Sequence, residues 1–296
     1  MTEFLQQLLN GLSLGAIYAL IALGYTMVYG VLRFINFAHS DVFMVGAYVG
    51  YYAGQHLPHG TVGGGIAVLL IAMGFCAALG ILIEKLAYRP LRGAPTLNVL
   101  ITAIGVSLFL EYTGQRVFGA APRTFPQIFP SHRFAALGVV ISSNQLIVIV
   151  LTAVLIVALQ FVVHRTKMGT AMRAVSLNPK AAQLVGVNID TVISFTFGLG
   201  SALAAAGGIL YAINYPSIDP LMGVMPGLKA FVAAVLGGIG SIPGAALGGL
   251  ILGTTETFVN GSQFSTYKDA IAFAVLILIL LFRPAGILGR FTVEKV

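Results

Sequence analysis

Phe4-Leu-Gln-Gln-Leu-Leu-Asn-Gly-Leu-Ser-Leu-Gly-Ala-Ile-Tyr-Ala-Leu-Ile-Ala-Leu-Gly-Tyr-Thr-Met-Val-Tyr-Gly-Val-Leu32 contains no Asp, Glu, Lys or Arg. A helix rises about 1.5 Å per residue, so about 20 apolar residues cross a hydrocarbon core of about 30 Å. This run is long enough to do so. Charge-free runs recur at 42–83, 93–110, 134–164, 191–218 and 257–267, and 42–83 has room for two crossings. They are continuous rather than alternating, which argues for helices over a membrane β-barrel. The whole chain agrees: of 296 residues 58% are hydrophobic and 8% charged, whereas an ordinary soluble domain is about a quarter charged. The early region carries Glu3 and no basic start, and its apolar run is too long for a cleaved signal, so 6–30 is read as a retained span.

Polar intervals separate the apolar runs. The first holds Glu84, Lys85, Arg89, Pro90 and Arg92; the second runs from Arg116 to Arg133; the third from His164 to Asp190. A fourth, Tyr215 to Gly227, contains three prolines and Asp219; a fifth runs from Asn260 to Asp269; a tail starts at Arg283. The first, third and tail segments carry Lys85, Arg89, Arg92, Arg165, Lys167, Arg173, Lys180, Arg283, Arg290 and Lys295, against Arg116, Arg123, Arg133 and Lys268 in the second and fifth. The positive-inside bias therefore places the first, third and tail segments in the cytoplasm, with the N-terminus outside. The same bias accounts for the net charge of +7. No basic stripe is present, so no nucleic-acid partner is expected.

Spans are predicted at 6–30, 40–56, 62–87, 94–118, 138–163, 191–214 and 268–283. Residues 226–258 are mostly apolar but broken by Gly237-Gly238-Ile-Gly240-Ser241-Ile-Pro-Gly244, with roughly a dozen residues on each side. That pattern fits two half-helices or a re-entrant pair, since each side is short of a full span. The fold class is all-α: a polytopic membrane protein with about eight transmembrane helices, up to ten if broken helices are counted separately. Gly11/Gly15, Gly46/Gly50, Gly50/Gly54, Gly244/Gly248 and Gly249/Gly253 are small-xxx-small pairs, which let helices pack closely in lipid. Cys76 is the one cysteine, so no disulfide framework or cysteine metal site exists, and a buried thiol is expected.

Catalytic signals are lacking. No Gly-Lys dipeptide occurs, hence no phosphate-binding loop; His-Glu-x-x-His is absent and the five histidines are scattered. No catalytic residues, metal ligands or cofactor are assigned to this chain, and any energy for transport must come from an ion gradient or another subunit. Arg33-Phe-Ile-Asn36-Phe-Ala-His39-Ser40-Asp41 sets polar groups between two apolar runs. It reads either as functional polar groups at membrane depth or as a turn in which Asn36 or Ser40 caps the next helix. Glu111 and Glu256 are the ionisable candidates within spans; neither has a basic partner at i+4, so both read as helix-end residues, and the shortage of paired charges disfavours a proton-coupled carrier. In the third interval Asn178 suits an N-cap, Pro179 the first helical position and Gly186 the stop. Ala181, Leu184 and Val185 share one face of the short helix between. Such a helix is marginal alone in water and must dock on something.

Gly11 to Gly24, Tyr29-Gly30, Asn36-Phe-Ala-His39 and Met44-Val-Gly-Ala-Tyr48 together resemble permeases of bacterial branched-chain amino acid ABC importers. Arg173-Ala174, Asn178, Ala181 and Gly186 are similar to that family's coupling segment, and Gly237 to Gly249 to its late glycine-rich stretch. Arg283-Pro-Ala-Gly286-Ile-Leu-Gly289-Arg290 with Glu294-Lys-Val296 resembles the tail of its H-type permease. Where the family commonly has Gly after Asn-Phe-Ala-His, this chain has Ser40. The resemblance implies a single permease domain over 1–296 in the bacterial inner membrane, with a coupling segment at about 165–190. It implies that Arg173, Ala174, Asn178, Ala181, Leu184 and Gly186 meet a nucleotide-binding subunit. Asn36, His39, Asp41, Gly237, Gly238, Gly240 and Ser241 are expected at the pore or gate. The implied partners are a second homologous permease, two nucleotide-binding subunits that bind ATP, and a periplasmic amino-acid-binding protein. Two other readings stay open: the same architecture carrying urea or short amides, and an ion-gradient-driven amino acid carrier.

Overall fold

A computed structural model describes residues 2–136 and 138–289. The long charge-free run forms one helix, α1 (Thr2–Leu32), and nearly all of its central residues are buried. Around it stand α2 (His39–His56), α3 (Val62–Ile83), α4 (Thr96–Phe118), α5 (Ser143–Arg165), α8 (Ile189–Asn214), α9 (Val224–Gly237), α10 (Ile242–Asn260) and α11 (Lys268–Phe282). The short α6 (Lys167–Leu177) and α7 (Pro179–Leu184) lie between α5 and α8. Seven helices among the described residues are long and apolar enough to cross a membrane: α1, α3 with its continuation to Leu91, α4, α5, α8, α10, and α11 with the turn before it. With the shorter, buried α2 and α9, they make up the polytopic helical fold expected.

Sequence punctuation sets the boundaries. Thr61 and Asn188 accept hydrogen bonds from the amides of Gly64 and Thr191 and so start α3 and α8. Ser142 and Gln145 form a reciprocal capping box at the head of α5. Two expectations are corrected. The span predicted from 138 begins instead with a strand, β3 (Val139–Ser142), paired antiparallel with β2 (Arg133–Ala136), because three consecutive β-branched residues precede that cap. The helix after the glycine break is no dozen-residue half-helix: Ser241 caps it at once and it runs 19 residues to Asn260. A second small ladder joins β1 (Arg123–Thr124) to β4 (Ser217–Ile218).

Glycine seams bring the helices together. A Cβ added to Gly15 would lie 2.8 Å from Leu250 Cα, and one at Gly11 2.7 Å from Thr254 Cα, so α1 and α10 touch backbone to backbone. Gly46 of α2 meets the Ala205 backbone of α8 in the same way, and Gly50 receives the Ile209 side chain. The small-xxx-small pairs therefore serve packing inside the bundle. By contrast α3, α4, α5 and α11 leave most of their surface uncovered, including Leu70, Phe109, Val157, Phe161 and Leu281. An uncovered apolar belt of this size needs lipid or protein around it.

The candidate translocation and coupling sites

Asn178 Oδ1 accepts from the Ala181 amide at 3.0 Å, with Pro179 at the first position of α7. Gly186 ends the segment at φ +88°, a left-handed conformation that glycine adopts without a Cβ penalty. Ala182 anchors α7 inward, while Leu184 and Val185 are 89% and 79% exposed and Leu177 81%. Ala181, Leu184 and Val185 are all exposed. In α6, Arg173 donates to the Val163 carbonyl and, at 3.3 Å, to Thr170 Oγ1, tying α6 back to α5; Ala174 O accepts from the Asn178 amide at 3.1 Å. A groove of about 680 Å³ separates this pair from the ends of α1 and α8 and from Arg92.

That end of the bundle also holds an ion cluster absent from the sequence reading. Glu84 is fully buried and is paired with Arg89 at 3.1 Å and with Arg92. It also accepts from Ser194 Oγ of α8 at 2.6 Å. Arg92 reaches Asp190, at the start of α8, as well. A π-helical turn, Glu84–Tyr88, swings these groups inward from the end of α3. Tyr88 then donates to Asn36 Oδ1 at 2.6 Å. Ion pairs, the Glu84–Tyr88 turn itself and a hydrogen bond therefore connect the start of α8, beside α7, to the turn ahead of α2. The sequence signal was Glu84, adjoining an apolar run, with arginines five and eight residues on.

Asn36, His39 and Asp41 are all buried, so the turn reading is revised: neither Asn36 nor Ser40 caps α2 through its side chain. The His39 ring sits against Gly24, about 12 Å of helix short of the end of α1. The chain after Arg33, which has φ +55°, therefore folds back into the bundle and α2 starts at depth. Asp41 accepts from Ser107 of α4 at 2.5 Å, and His39 Nε2 has no hydrogen-bond partner among the described residues. Ser40 bonds the Phe37 carbonyl at 2.9 Å and fits because Gly223 and Gly227 face it.

At the glycine break, Gly238 and Gly240 take φ +103° and +93°, and Ser241 Oγ accepts from the Gly244 amide at 3.2 Å. Gly237 and Gly238 are packed rather than open. The amides of Ile287 and Leu288 donate to the carbonyls of Leu236 and Gly237 at 2.9 and 3.0 Å, so the chain after α11 closes the end of α9. The proposed tail match at Arg290 and beyond lies outside the described residues.

Glu256 requires a further correction. It lies near the end of α10, as expected, yet it is buried and paired: Lys229 Nζ of α9 is 2.5 Å from Oε1, and Tyr18 OH of α1 donates to Oε2 at 2.8 Å. Lys229 and Arg33 are the two basic residues outside the loop tally. Residues 229 and 256 are too distant for any helical spacing to reveal them; the α9–α10 hairpin brings them together. A buried charge pair therefore exists, and its supposed absence is no argument against an ion-coupled carrier. One enzyme-like spacing, Gly11-Leu-Ser13-Leu-Gly15, lies within α1 rather than at a strand-to-helix turn, and Ser13 accepts from Asn214 at 2.8 Å.

A bundle of apolar helices with a helix starting at depth, a clamped glycine break and an exposed helical hook is the architecture of a polytopic membrane permease. The chain belongs to the family described as branched-chain amino acid transport system / permease component, which it matches over residues 7–280. It is 45% identical to the high-affinity branched-chain amino acid transport system permease protein BraD of Pseudomonas aeruginosa, over 99% of this chain and 98% of that one. It is 44% identical to the LivH proteins of Salmonella typhimurium and Escherichia coli K12, described in the same words, again over 99% and 98%.

Proposed function

We propose that this chain is a pore-forming permease subunit of an ATP-driven importer that carries leucine, isoleucine and valine across the bacterial inner membrane. The observation carrying the reading is likeness along almost the whole chain to permeases named for that transport. The exposed Leu177, Leu184 and Val185 support the assignment of Arg173 to Gly186 as the segment that docks on a nucleotide-binding subunit. That end of the bundle faces the cytoplasm by its basic residues. ATP binds to two partner subunits, a second homologous permease completes the pore, and a periplasmic binding protein delivers the amino acid. Motor closure pushes α7, and the motion reaches α2 through Asp190, Arg92, Glu84, Tyr88 and Asn36. His39, Asp41 and the Gly237–Ser241 break then repack as the pore switches side.

The test is uptake of radiolabelled leucine into vesicles holding this chain and its partner subunits, with and without ATP and the binding protein. Uptake that needs both is expected. Uptake by this chain alone, driven by an ion gradient, would replace the importer reading with a secondary carrier, and uptake of urea but not leucine would move the cargo.

A further inference from the structure

At the end of the bundle opposite α6 and α7, a cavity of about 750 Å³ opens among α1, α5, α8, α9, α10 and α11. Sites for small molecules run at about 300–1,000 Å³. Its floor is the Lys229 cluster. Lys229 Nζ stands between two carboxylates, 2.5 Å from Glu256 Oε1 and 2.6 Å from Asp269 Oδ1. Within this trio one cation faces two carboxylates, and Arg133 and Lys268 elsewhere in the lining add two further cations, so the cavity presents both signs of charge. Glu256 is already shared with Tyr18, whereas Asp269 is partly exposed to the cavity. In the wall, Asn144 donates to the Ile213 carbonyl at 3.2 Å, and its Oδ1 is buried without a partner among the described residues. The partly exposed Asp269 carboxylate suits a cationic N–H donor, and the orphaned amide oxygen any N–H or O–H donor. The same lining offers Lys268 for an anion and Leu14, Ile213 and Met225 for an aliphatic group.

We propose that this cavity is a transient receiving site for a small aliphatic zwitterion, an α-amino acid, between its release outside and its passage inward. The ammonium group meets Asp269, the carboxylate group meets Lys268 and Arg133, and the side chain lies on the apolar wall. The inference rests on the importer reading and adds a substrate site within this chain.

The experiment uses the whole transporter in nanodiscs without the binding protein, and radiolabelled leucine as probe. Weak saturable binding is expected, displaced by valine but not by 4-methylpentanoate or 3-methylbutylamine, which each lack one charge. Asp269→Asn keeps the Lys229–Glu256 pair and is expected to weaken binding about tenfold or more, the loss of one charge-assisted contact, with the melting temperature unchanged. Asn144→Leu, which removes the orphaned acceptor, is expected to weaken it as well. Equal displacement by the single-charge analogues overturns the proposal. So does unaltered affinity in both variants, or absence of binding in a complex that still imports leucine with its binding protein. A complex that imports no branched-chain amino acid under any condition sinks the importer reading itself, whatever the cavity binds.

Discussion

Lys229 shows how one residue can be silent in a sequence and central in a fold. It is 5% exposed and its partner Glu256 8%. Removing one member of such a pair strands the other charge, a loss of about 3–5 kcal/mol. Lys229→Met is therefore expected to lower the melting temperature of the purified protein sharply, and Lys229→Met with Glu256→Gln to recover most of it. An unchanged single variant would mean the pair is not formed. Gly186 was legible beforehand, because a stop after a proline-started helix is a local pattern. Its open surroundings and φ of +88° isolate the backbone effect: a non-glycine residue there costs about 1–2 kcal/mol and shifts α7. Gly186→Val should leave ATP hydrolysis running while uptake falls; normal transport with normally stimulated hydrolysis would remove α7 from the coupling path.

At the scale of elements, the spans were readable because length and lack of charge are properties of contiguous residues. What escaped was tertiary: the hairpin β2–β3 hidden at the head of an apolar run, the full length of α10, and the inward swing of Glu84. Glycines show the same divide, since 36 of them are visible and only the fold tells which are seams. Gly15 faces the α10 backbone, and Gly74 has nothing within 4 Å. Gly15→Leu is expected to abolish accumulation of folded protein in membranes, because overpacking against backbone has no flexible atom to yield. Gly74→Leu should accumulate like the parent, and equal yields would refute the seam. The α6–α7 hook makes a separate claim. Leu184→Ser with Val185→Ser removes exposed apolar surface without touching the buried Ala182. The expected result is a folded permease that no longer retains its motor subunit on a column.

For the whole molecule, the charge tally and the fold agree on two unlike ends, one with Lys180 in α7 and one with Lys268 at the head of α11. The native Cys76 is buried and makes a quiet background for labelling. Lys268→Cys should react with an impermeant maleimide added outside intact cells, and Lys180→Cys only after the membrane is opened; the reverse pattern would invert the topology. The clasp of Ile287 and Leu288 on the last carbonyls of α9 carries a consequence in time. A ribosome adds about 5–20 residues per second, and α9 leaves it long before its clasp does. Until residues 287 and 288 have been made, two carbonyls at the foot of that helix have no amide to meet them. Chains cut short near residue 283 should therefore insert every span yet leave the end of α9 unclasped, and cellular proteases would sort clasped from unclasped copies at that one joint.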